Sequence, residues 1–264
     1  MAKMHEIDYQ IHGHTTQYVE VELDPGEAVV AEPGGMMYME DGIGMETVFG
    51  DGSGDRSGFL GALVSAGKRL LTGESLFTTV FYNQAQQKRR VAFAAPYPGT
   101  IIPVHLAEVG GELWAQKDSF LCAARGVSLG IAFNRRIGTG LFGGEGFIMQ
   151  RLQGDGWVFL HAGGSVAERT LLPGEVLRID TGCVVAFQPT VDFDIQFARG
   201  IKSALFGGEG LFFAVLKGPG RVWLQSLPLS RMADRLAAAV PGPGRGGREE
   251  GSVLGGLGRM LDGD

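Results

Sequence analysis

LFGGEGF at Leu141–Phe147 recurs as LFGGEGL at Leu205–Leu211, and a weaker form, LLTGESLF, occupies Leu70–Phe77. The register extends past this phrase, because GWVFL at 156–160 is matched at the same spacing by GRVWL at 220–224. A phrase that returns at a fixed period indicates stacked units that share one core. The sequence therefore predicts three copies of a unit of roughly 60–80 residues, since one unit of that size buries too little surface alone.

A second recurring phrase marks a tight turn in each unit. LDPGE ends at Glu27, EVGGE at Glu112 and LLPGE at Glu175. Before the first turn, QYVEVEL at Gln17–Leu23 alternates polar and apolar residues, which is typical of a half-buried strand. Proline presets φ and glycine accepts positive φ, so DPG at 24–26 predicts a turn into EAVVAE as the returning strand.

Short strands between glycine-rich turns are predicted along most of the chain. Of the 264 residues, 44 are glycine, which is more than twice the usual share of about 7% and fits turns that join many strands. The sequence thus predicts an all-β protein with pseudo-repeat symmetry and a C-terminal helix. The other predicted strands are Met36–Met39, Leu76–Tyr82, Val91–Ala94, Ser119–Ala124, Phe147–Leu152, Trp157–His161, Val184–Phe187, Phe193–Phe197, Leu211–Leu216 and Arg221–Ser226.

Breaks in the repeat divide the chain. LSRMADRLAAAV after Pro228 has apolar residues at helical spacing, with Ser230 as the predicted N-cap and Pro241 as the stop. The insertion in the first unit predicts a loop followed by a short amphipathic helix. The composition after Pro241 is typical of a flexible tail. The predicted divisions are a first β unit at 1–95 with the insertion at 50–72, a second at 96–165, a third at 166–228, a helix at 229–240 and a tail at 241–264.

Composition and charge exclude several classes of protein. The net charge of −6 opposes a broad nucleic-acid surface, which needs clustered Lys and Arg. MAKMHEIDYQ lacks the apolar core of a signal peptide, and the longest apolar stretch, Phe59–Leu71, is too short to span a bilayer. Cys122 and Cys183 lie in apolar runs and are predicted to be buried thiols, which suits a reducing compartment. We expect a cytoplasmic protein, with a peripheral place at a membrane left open.

Two features resemble ligand sites, but a structural interpretation is favoured for both. Gly138–Gly143 matches G-x-G-x-x-G, yet a strand-like FIMQRL follows where a dinucleotide site needs a helix. The repeated glutamates after glycine are compatible with convergence on a metal or a cationic ligand. A turn-fixing group, however, is needed once per repeat, whereas a catalytic group is seldom needed three times. The same argument covers Glu27, Glu112 and Glu175. The predicted structural turns contain Gly73, Glu74, Gly144, Glu145, Gly208 and Glu209.

No recognisable catalytic arrangement is present in the sequence. His12 and His14 would share one face of a strand as a metal pair, but no third ligand is near in sequence, so a surface role is favoured. KRR at 88–90 and the pair Arg135-Arg136 are small basic clusters, for which solvated loop charges are favoured over phosphate contacts. No Ser-His-Asp or Cys-His set has a known spacing. We therefore predict no catalytic residue, metal or cofactor.

A series of phrases follows one order along the chain: VELDPGEAVVAEPGGMMYM, GESLFTTVF, APYPGTIIPV, QKDSFLCAA, LFGGEGFIMQRL, GWVFLHAGG, LLPGEVLRIDTG and LFGGEGLFFAVLKGPGRVWLQSLP. In this order they resemble the AIM24 family. The resemblance covers Met4 to Pro228 and implies three tandem β units, each like the trp RNA-binding attenuation protein (TRAP) and each a short variant of the double-stranded β-helix. It further implies a homotrimer that closes a ring of pseudo-equivalent units.

The resemblance leaves two classes of function. The mitochondrial member of the family is associated with inner-membrane organisation and respiratory-complex integrity, and it supplies no catalytic residues to carry over. We expect a non-catalytic oligomeric scaffold that engages another protein or a membrane-associated assembly. The alternative is a ring that binds RNA or a small ligand, by analogy with TRAP alone. The chain also lacks the Arg-rich presequence of mitochondrial import, which favours a bacterial-type cytoplasmic protein.

Overall fold

The alternation before the first turn produces a strand. Val19, Val21 and Leu23 are buried, whereas the residues between them are half-buried. The same pattern repeats along the chain in this computed structural model, which is mostly β with antiparallel sheets and one C-terminal helix. The residues that the structure describes are 5–49, 77–135, 147–197 and 212–239.

The described residues contain nineteen strands, which we number in chain order. The first seven are β1 Asp8–His12, β2 Tyr18–Leu23, β3 Ala28–Ala31, β4 Met36–Met39, β5 Ile43–Phe49, β6 Phe77–Asn83 and β7 Arg89–Ala94. The next six are β8 Gly99–His105, β9 Glu112–Gln116, β10 Phe120–Ala124, β11 Ser128–Arg135, β12 Phe147–Gln153 and β13 Trp157–Gly163. The last six are β14 Val166–Leu171, β15 Val176–Asp180, β16 Val184–Phe187, β17 Asp192–Phe197, β18 Phe212–Lys217 and β19 Gly220–Gln225.

Four helical segments complete the described residues. Three are short 3-10 helices, at Leu106–Val109, Lys117–Ser119 and Thr181–Cys183. The fourth is the α-helix α1, Leu229–Ala239. The predicted C-terminal helix is therefore confirmed, but Ser230 lies inside its first turn and not at the N-cap. That one-residue difference is within the usual spread of helix ends.

The strands form four antiparallel sheets. Sheet A has the order β1-β2-β7-β4, and sheet D has the order β15-β18-β17. Between them lie two six-stranded sheets: sheet B is β5-β6-β3-β10-β13-β8, and sheet C is β11-β12-β9-β16-β19-β14.

One pairing pattern occurs three times, in the strand sets β2–β7, β8–β13 and β14–β19. In each set the first and third strands pair with the sixth, and the second and fourth strands pair with the fifth. Successive sets are connected where the second strand of one pairs with the third strand of the next, as β3 with β10 and β9 with β16. We call these two contacts the internal joints. Sheets B and C are each built from halves of two sets.

The strand–turn–strand phrases do not form hairpins, which corrects the prediction that β3 returns along β2. β2 is already paired on both edges, by β1 and β7, so it has no edge left for β3. β3 instead pairs with β6 and β10 in sheet B, and every one of its residues is buried. The turn at 24–26 therefore carries the chain from one sheet to the next. The same is true between β8 and β9 and between β14 and β15.

The apolar core lies between successive sheets as three clusters. The cluster between sheets A and B includes Phe93 and Phe159. That between sheets B and C includes Leu160 and Trp223, and that between C and D includes Leu216. Each of these side chains is at most 1% exposed, so each contributes about 1.5–3 kcal/mol to folding by burial.

The chain divides into two compact units. One comprises Met1–Ser230 and the other Arg231–Asp264. The finer predicted boundaries, at 95, 165 and 228, stay predictions. Within the described ranges, no helix is both long enough and apolar enough to cross a membrane.

Candidate functional site

The predicted structural turns fall outside the described residues. The same holds for the G-x-G-x-x-G match, the insertion and the tail, so their roles stay predictions. The positions concerned are Gly73, Glu74, Gly144, Glu145, Gly208, Glu209, Gly138–Gly143, 50–72, 241–264, Arg136 and the side chain of Arg135.

Two other repeated glutamates fix the turns between sheets. The Glu27 carboxylate accepts a hydrogen bond from the Asp24 N–H at 2.8 Å, and the Glu175 carboxylate accepts one from the Leu172 N–H at 2.9 Å. In return, the N–H of each glutamate donates to the carbonyl oxygen of the same partner residue. Burial raises the pKa of Glu27. These contacts agree with the turn-fixing role that the sequence predicts for both residues.

Glu112 departs from this pattern, which corrects the alignment of the three phrases. Its carboxylate accepts hydrogen bonds from Trp114 Nε1 and Gln153 Nε2, both at 2.7 Å. Strand register places Glu112 level with Ala28 and Val176, one position beyond the turn glutamates of the other two phrases. The reason is local: a 3-10 helix precedes this turn, where the other phrases have Pro-Gly.

Lys88 and Arg90 of the basic run KRR are paired with carboxylates, whereas Arg89 Nε donates to the Asp41 carbonyl oxygen. Lys88 Nζ and Arg90 Nη2 each lie 2.9 Å from a carboxylate oxygen of Glu22. Lys88 Nζ also lies 3.4 Å from Asp8 and from Asp24. The hydrogen bonds from Lys88 and Arg90 lower the pKa of Glu22, and they raise the pKa values of both cations. This pairing favours the interpretation as surface charges over a phosphate site.

The two N-terminal histidines do not form a metal centre with other described residues. His12 stacks on Tyr18, with ring centroids 4.7 Å apart and an angle of 17° between the planes. His14 is exposed. Within the described part of the chain, no group of three or more His, Cys, Asp and Glu side chains is arranged to hold a metal ion.

His161 is buried in the core, at 1% exposure. Its Nε2 lies 3.1 Å from the Tyr97 carbonyl oxygen, and the two rings meet edge to face at 4.4 Å. A Cβ at Gly99 would lie only 2.5 Å from Nε2. Burial lowers the pKa of His161 to about 4, so the ring is neutral near pH 7. The arrangement is a packing contact, and among the described residues no nucleophile or acid is hydrogen-bonded to the ring.

Glu32 is a perturbed residue that no motif in the sequence marks. Burial, and secondarily the charge of Asp118, raises its pKa to about 7. Its N–H donates to the Leu121 carbonyl oxygen at 3.1 Å, across the joint between β3 and β10. Perturbed carboxyls often indicate a reactive site, but this one is perturbed because the next strand set covers it. The signal in the sequence would have been a carboxylate placed directly after the apolar run AVVA.

The strongest candidate surface is formed by two unpaired sheet edges. Among the described residues, β4 has a strand partner only in β7, and β15 only in β18. On β4, Met36, Met37 and Met39 are 36%, 54% and 40% exposed, and on β15 Val176 is 45% exposed. Unpaired edges that carry exposed apolar side chains mark sites of interaction with another chain. We call the outer edges of β4 and β15 the open edges.

A cavity of about 580 Å³ lies beside the second internal joint. Its lining residues include Trp114, Phe133, Phe193 and Asp192. Phe133 and Phe193 have ring centroids 5.0 Å apart. Aromatic walls next to one carboxylate are suited to a small organic cation.

Similarity to known proteins agrees with this architecture. The family model described as Mitochondrial biogenesis AIM24 matches residues 9–227. The uncharacterized protein M6_Spy0233 of Streptococcus pyogenes serotype M6 is 32% identical over 227 residues, which cover 84% of this chain and 86% of that protein. The crystal structure of protein SPYM3_0169 from Streptococcus pyogenes matches with a TM-score of 0.70 at 24% identity, over 89% of this chain and 100% of that one. The structural match supports the fold alone.

Proposed function

The chain belongs to the AIM24 family, and from this membership we propose that it is a non-catalytic oligomeric scaffold in the cytoplasm. The proposed assembly is a homotrimer in which each chain contributes three TRAP-like β units to a ring. Its proposed role is to support another protein or a membrane-associated assembly.

One observation carries this proposal. The first and the last strands of the pattern form two three-stranded halves, which together would have the order of a six-stranded sheet. Sheets B and C each consist of three strands from one set and three from the next. At the start of the pattern, β2-β7-β4 is one such half, and at its end β15-β18-β17 is the other. Complementary half-sheets at the two ends of the pattern support association of the chain with copies of itself.

The perturbed groups described above support a non-catalytic role. Glu22 is held by Lys88 and Arg90, and Glu27 closes a turn. Glu32 and His161 are perturbed by packing. Each of these four groups thus has a structural cause for its shift, in an ion pair, a turn or packing.

The test is the oligomeric state of the full chain. Native mass spectrometry and light scattering after size exclusion, over a range of protein concentrations, should report a trimer. A stable monomer across that range would contradict the scaffold proposal. Retained metal, lipid, nucleotide or protein would appear in the same spectra, and a stoichiometric low-molecular-mass ligand would favour the alternative below.

The second candidate function is a ring that binds a small ligand, and the aromatic cavity beside Trp114 and Phe193 favours it. RNA is the weaker version, because the net charge is −6 and Lys88 and Arg90 are already paired with carboxylates. Screening of small organic cations by Trp fluorescence tests the cavity, with Trp114→Leu as the matched variant. A 260/280 nm absorbance ratio typical of protein alone, and no binding to random RNA at low salt, would remove the RNA version.

A further inference from the structure

We propose that β4 of one copy pairs antiparallel with β15 of a second copy, with Tyr38 opposite Ile179 and Met39 opposite Arg178. This third joint would be of the same kind as the two internal joints. The inference rests on the proposed self-assembly, and it adds which strands meet and in which register. It holds for any number of copies.

The two internal joints share one antiparallel arrangement. In both, the third strand of a set lies against the second strand of the preceding set. The opposed pairs are Cys122–Ala31 and Ala123–Val30 in the first joint, and Ala186–Ala115 and Phe187–Trp114 in the second. The pair Phe187–Trp114 shows that the arrangement accepts large side chains as well as small ones.

β4 has the same structural landmark as the third strands of the other sets. In all three strands the pairing with the sixth strand of the set skips one residue, which is a β-bulge. Bulges are defined features that fix local register. The residues directly after the skip are Tyr38 in β4, Cys122 in β10 and Ala186 in β16. Tyr38 therefore has the place that Cys122 and Ala186 have in the internal joints.

β15 can be aligned with β3 and β9 in the same way. The pairing of the second strand with the fifth begins at Ala28 in β3, at Glu112 in β9 and at Val176 in β15. The fourth residue from that start is Ala31 in the first set and Ala115 in the second, and both lie at an internal joint. In the third set the fourth residue is Ile179. Tyr38 opposite Ile179 follows directly.

Burial distinguishes the open edges from their counterparts. Met37 is 54% exposed, whereas Leu121 and Val185 at the same place in β10 and β16 are 2% and 0% exposed. Ile179 is half-buried, whereas Ala31 and Ala115 are completely buried. Apolar residues are thus exposed on the open edges at the positions that are buried in the internal joints. This is expected if another chain completes the joint.

Charge agrees with the proposed register. Arg178 and Asp41 are both exposed in the single chain. With Met39 opposite Arg178, Asp41 lies in the turn after β4, two residues beyond Met39. The Arg178 side chain would then leave the joint next to the turn that carries Asp41. The joint would therefore place opposite charges together at its rim.

A second copy is the occupant that the topology favours. Each copy has one open edge of each kind, so the contact is heterologous and repeats head to tail until it closes. Pairing β4 with β15 completes the order β2-β7-β4-β15-β18-β17, which is the order of sheets B and C. An unrelated strand could form hydrogen bonds with the backbone of an open edge, but its register would not be matched to the bulge in β4.

Disulfide trapping tests the register. Residues directly opposite in an antiparallel pair have Cα atoms about 4.5–5.5 Å apart, within the range of about 4.4–6.8 Å that a disulfide spans. Tyr38→Cys and Ile179→Cys are made as separate proteins in a Cys183→Ser background, mixed under conditions of subunit exchange and oxidised. A cysteine is expected to fit at position 38 of β4, because the corresponding residue of β10 is Cys122. We expect a covalent dimer from the mixture and none from either protein alone.

The matched control moves one position by a single residue. Tyr38→Cys mixed with Arg178→Cys should give at most a tenth of the dimer, because a one-residue shift puts the two thiols on opposite faces. Native mass spectrometry of the same mixtures separates the outcomes. Assembled protein with no crosslink above this control would overturn the proposed joint and leave the scaffold intact, whereas a monomer before oxidation would overturn both. A variant that is monomeric by itself counts against self-assembly only if the unsubstituted chain is monomeric as well.

Discussion

Cys122 lies opposite Ala31 where β10 meets β3, and both side chains are completely buried. A joint between two strand sets is therefore as dry as the core beside it. Water is excluded from the sulfur, and burial raises the pKa of the Cys122 thiol. A protonated, covered thiol is a poor nucleophile.

The first prediction concerns the reactivity of that thiol. Native protein in which Cys183 is replaced by serine should react with a thiol reagent at pH 8 more than a hundredfold slower than the same protein in denaturant. Absorbance of the released chromophore measures both rates. Fast labelling of the native Cys183→Ser variant would show that the first joint opens readily, and the joint could then not be treated as core.

The second prediction concerns the sheet-changing turns. Glu175→Ala removes the acceptor for the Leu172 N–H, and Glu27→Ala removes the acceptor for the Asp24 N–H. Each should lower the free energy of unfolding by about 1 kcal/mol, the usual net contribution of one hydrogen bond. Chemical denaturation measures it, with Glu6→Ala at an exposed position as the control. If the control has the same effect as the two variants, these carboxylates do not fix the turns.

The strands were predictable from sequence where period-two alternation is clean, as at Tyr18–Leu23, or where a short apolar run is bounded by glycines, as at Trp157–Gly163. β11 was not predicted, although Leu129, Ile131 and Phe133 alternate with smaller or polar residues along it. The sequence also did not predict which sheet the chain enters after each turn. Pro25-Gly26 predicts a reversal, but whether the next strand pairs with the last depends on which edges are already occupied, and that is a long-range property. β3 leaves β2, whose two edges are taken by β1 and β7, and β9 and β15 likewise leave the strands before them for the next sheet.

The candidate site was even less predictable. Met36, Met37 and Met39 look like any short buried strand in sequence. Their significance comes from the missing neighbour, which is visible only when β4 is compared with β10 and β16. Likewise, EVGGE seemed to align Glu112 with the turn glutamates, but a helical turn before it shifts the register by one residue.

The third prediction is an acid sensitivity that originates at His161. Its pKa is about 4 in the folded protein, against an ordinary value of 6.5. As pH falls below 6.5, the unfolded chain binds the proton first, so stability present above pH 6.5 is lost as pH approaches 4. The loss should be on the order of 3 kcal/mol, and His161→Gln should remove most of it. Urea unfolding at pH 7 and pH 4.5 measures this, and an unchanged pH dependence in the variant would contradict the assignment.

The fourth prediction has the opposite sign and concerns Glu32. Its pKa is about 7 in the folded protein, against an ordinary value of 4.5. The folded chain therefore keeps this proton up to a higher pH than the unfolded chain does. The resulting contribution to the free energy of unfolding is fully present below pH 4.5 and is lost as pH rises through 7. Glu32→Gln should be more stable than the unsubstituted protein at pH 8 and differ less at pH 4.5. Thermal unfolding at both pH values measures the difference, and an equal shift at both would show that ionisation is not the cause.

The fifth prediction separates assembly from folding at Met37. A carboxylate at this position costs little in a single chain, because the side chain is 54% exposed. In the proposed joint the same position corresponds to Leu121 and Val185, which are buried, so an unpaired charge there would be desolvated. Met37→Asp should therefore dissociate the assembly while leaving the circular dichroism spectrum of the monomer unchanged. Leu172→Asp is the matched control: Leu172 is 68% exposed, and its counterpart in the first turn is Asp24. Light scattering after size exclusion should show monomer for the first variant and full assembly for the second. An intact assembly of Met37→Asp would place the contact between copies elsewhere.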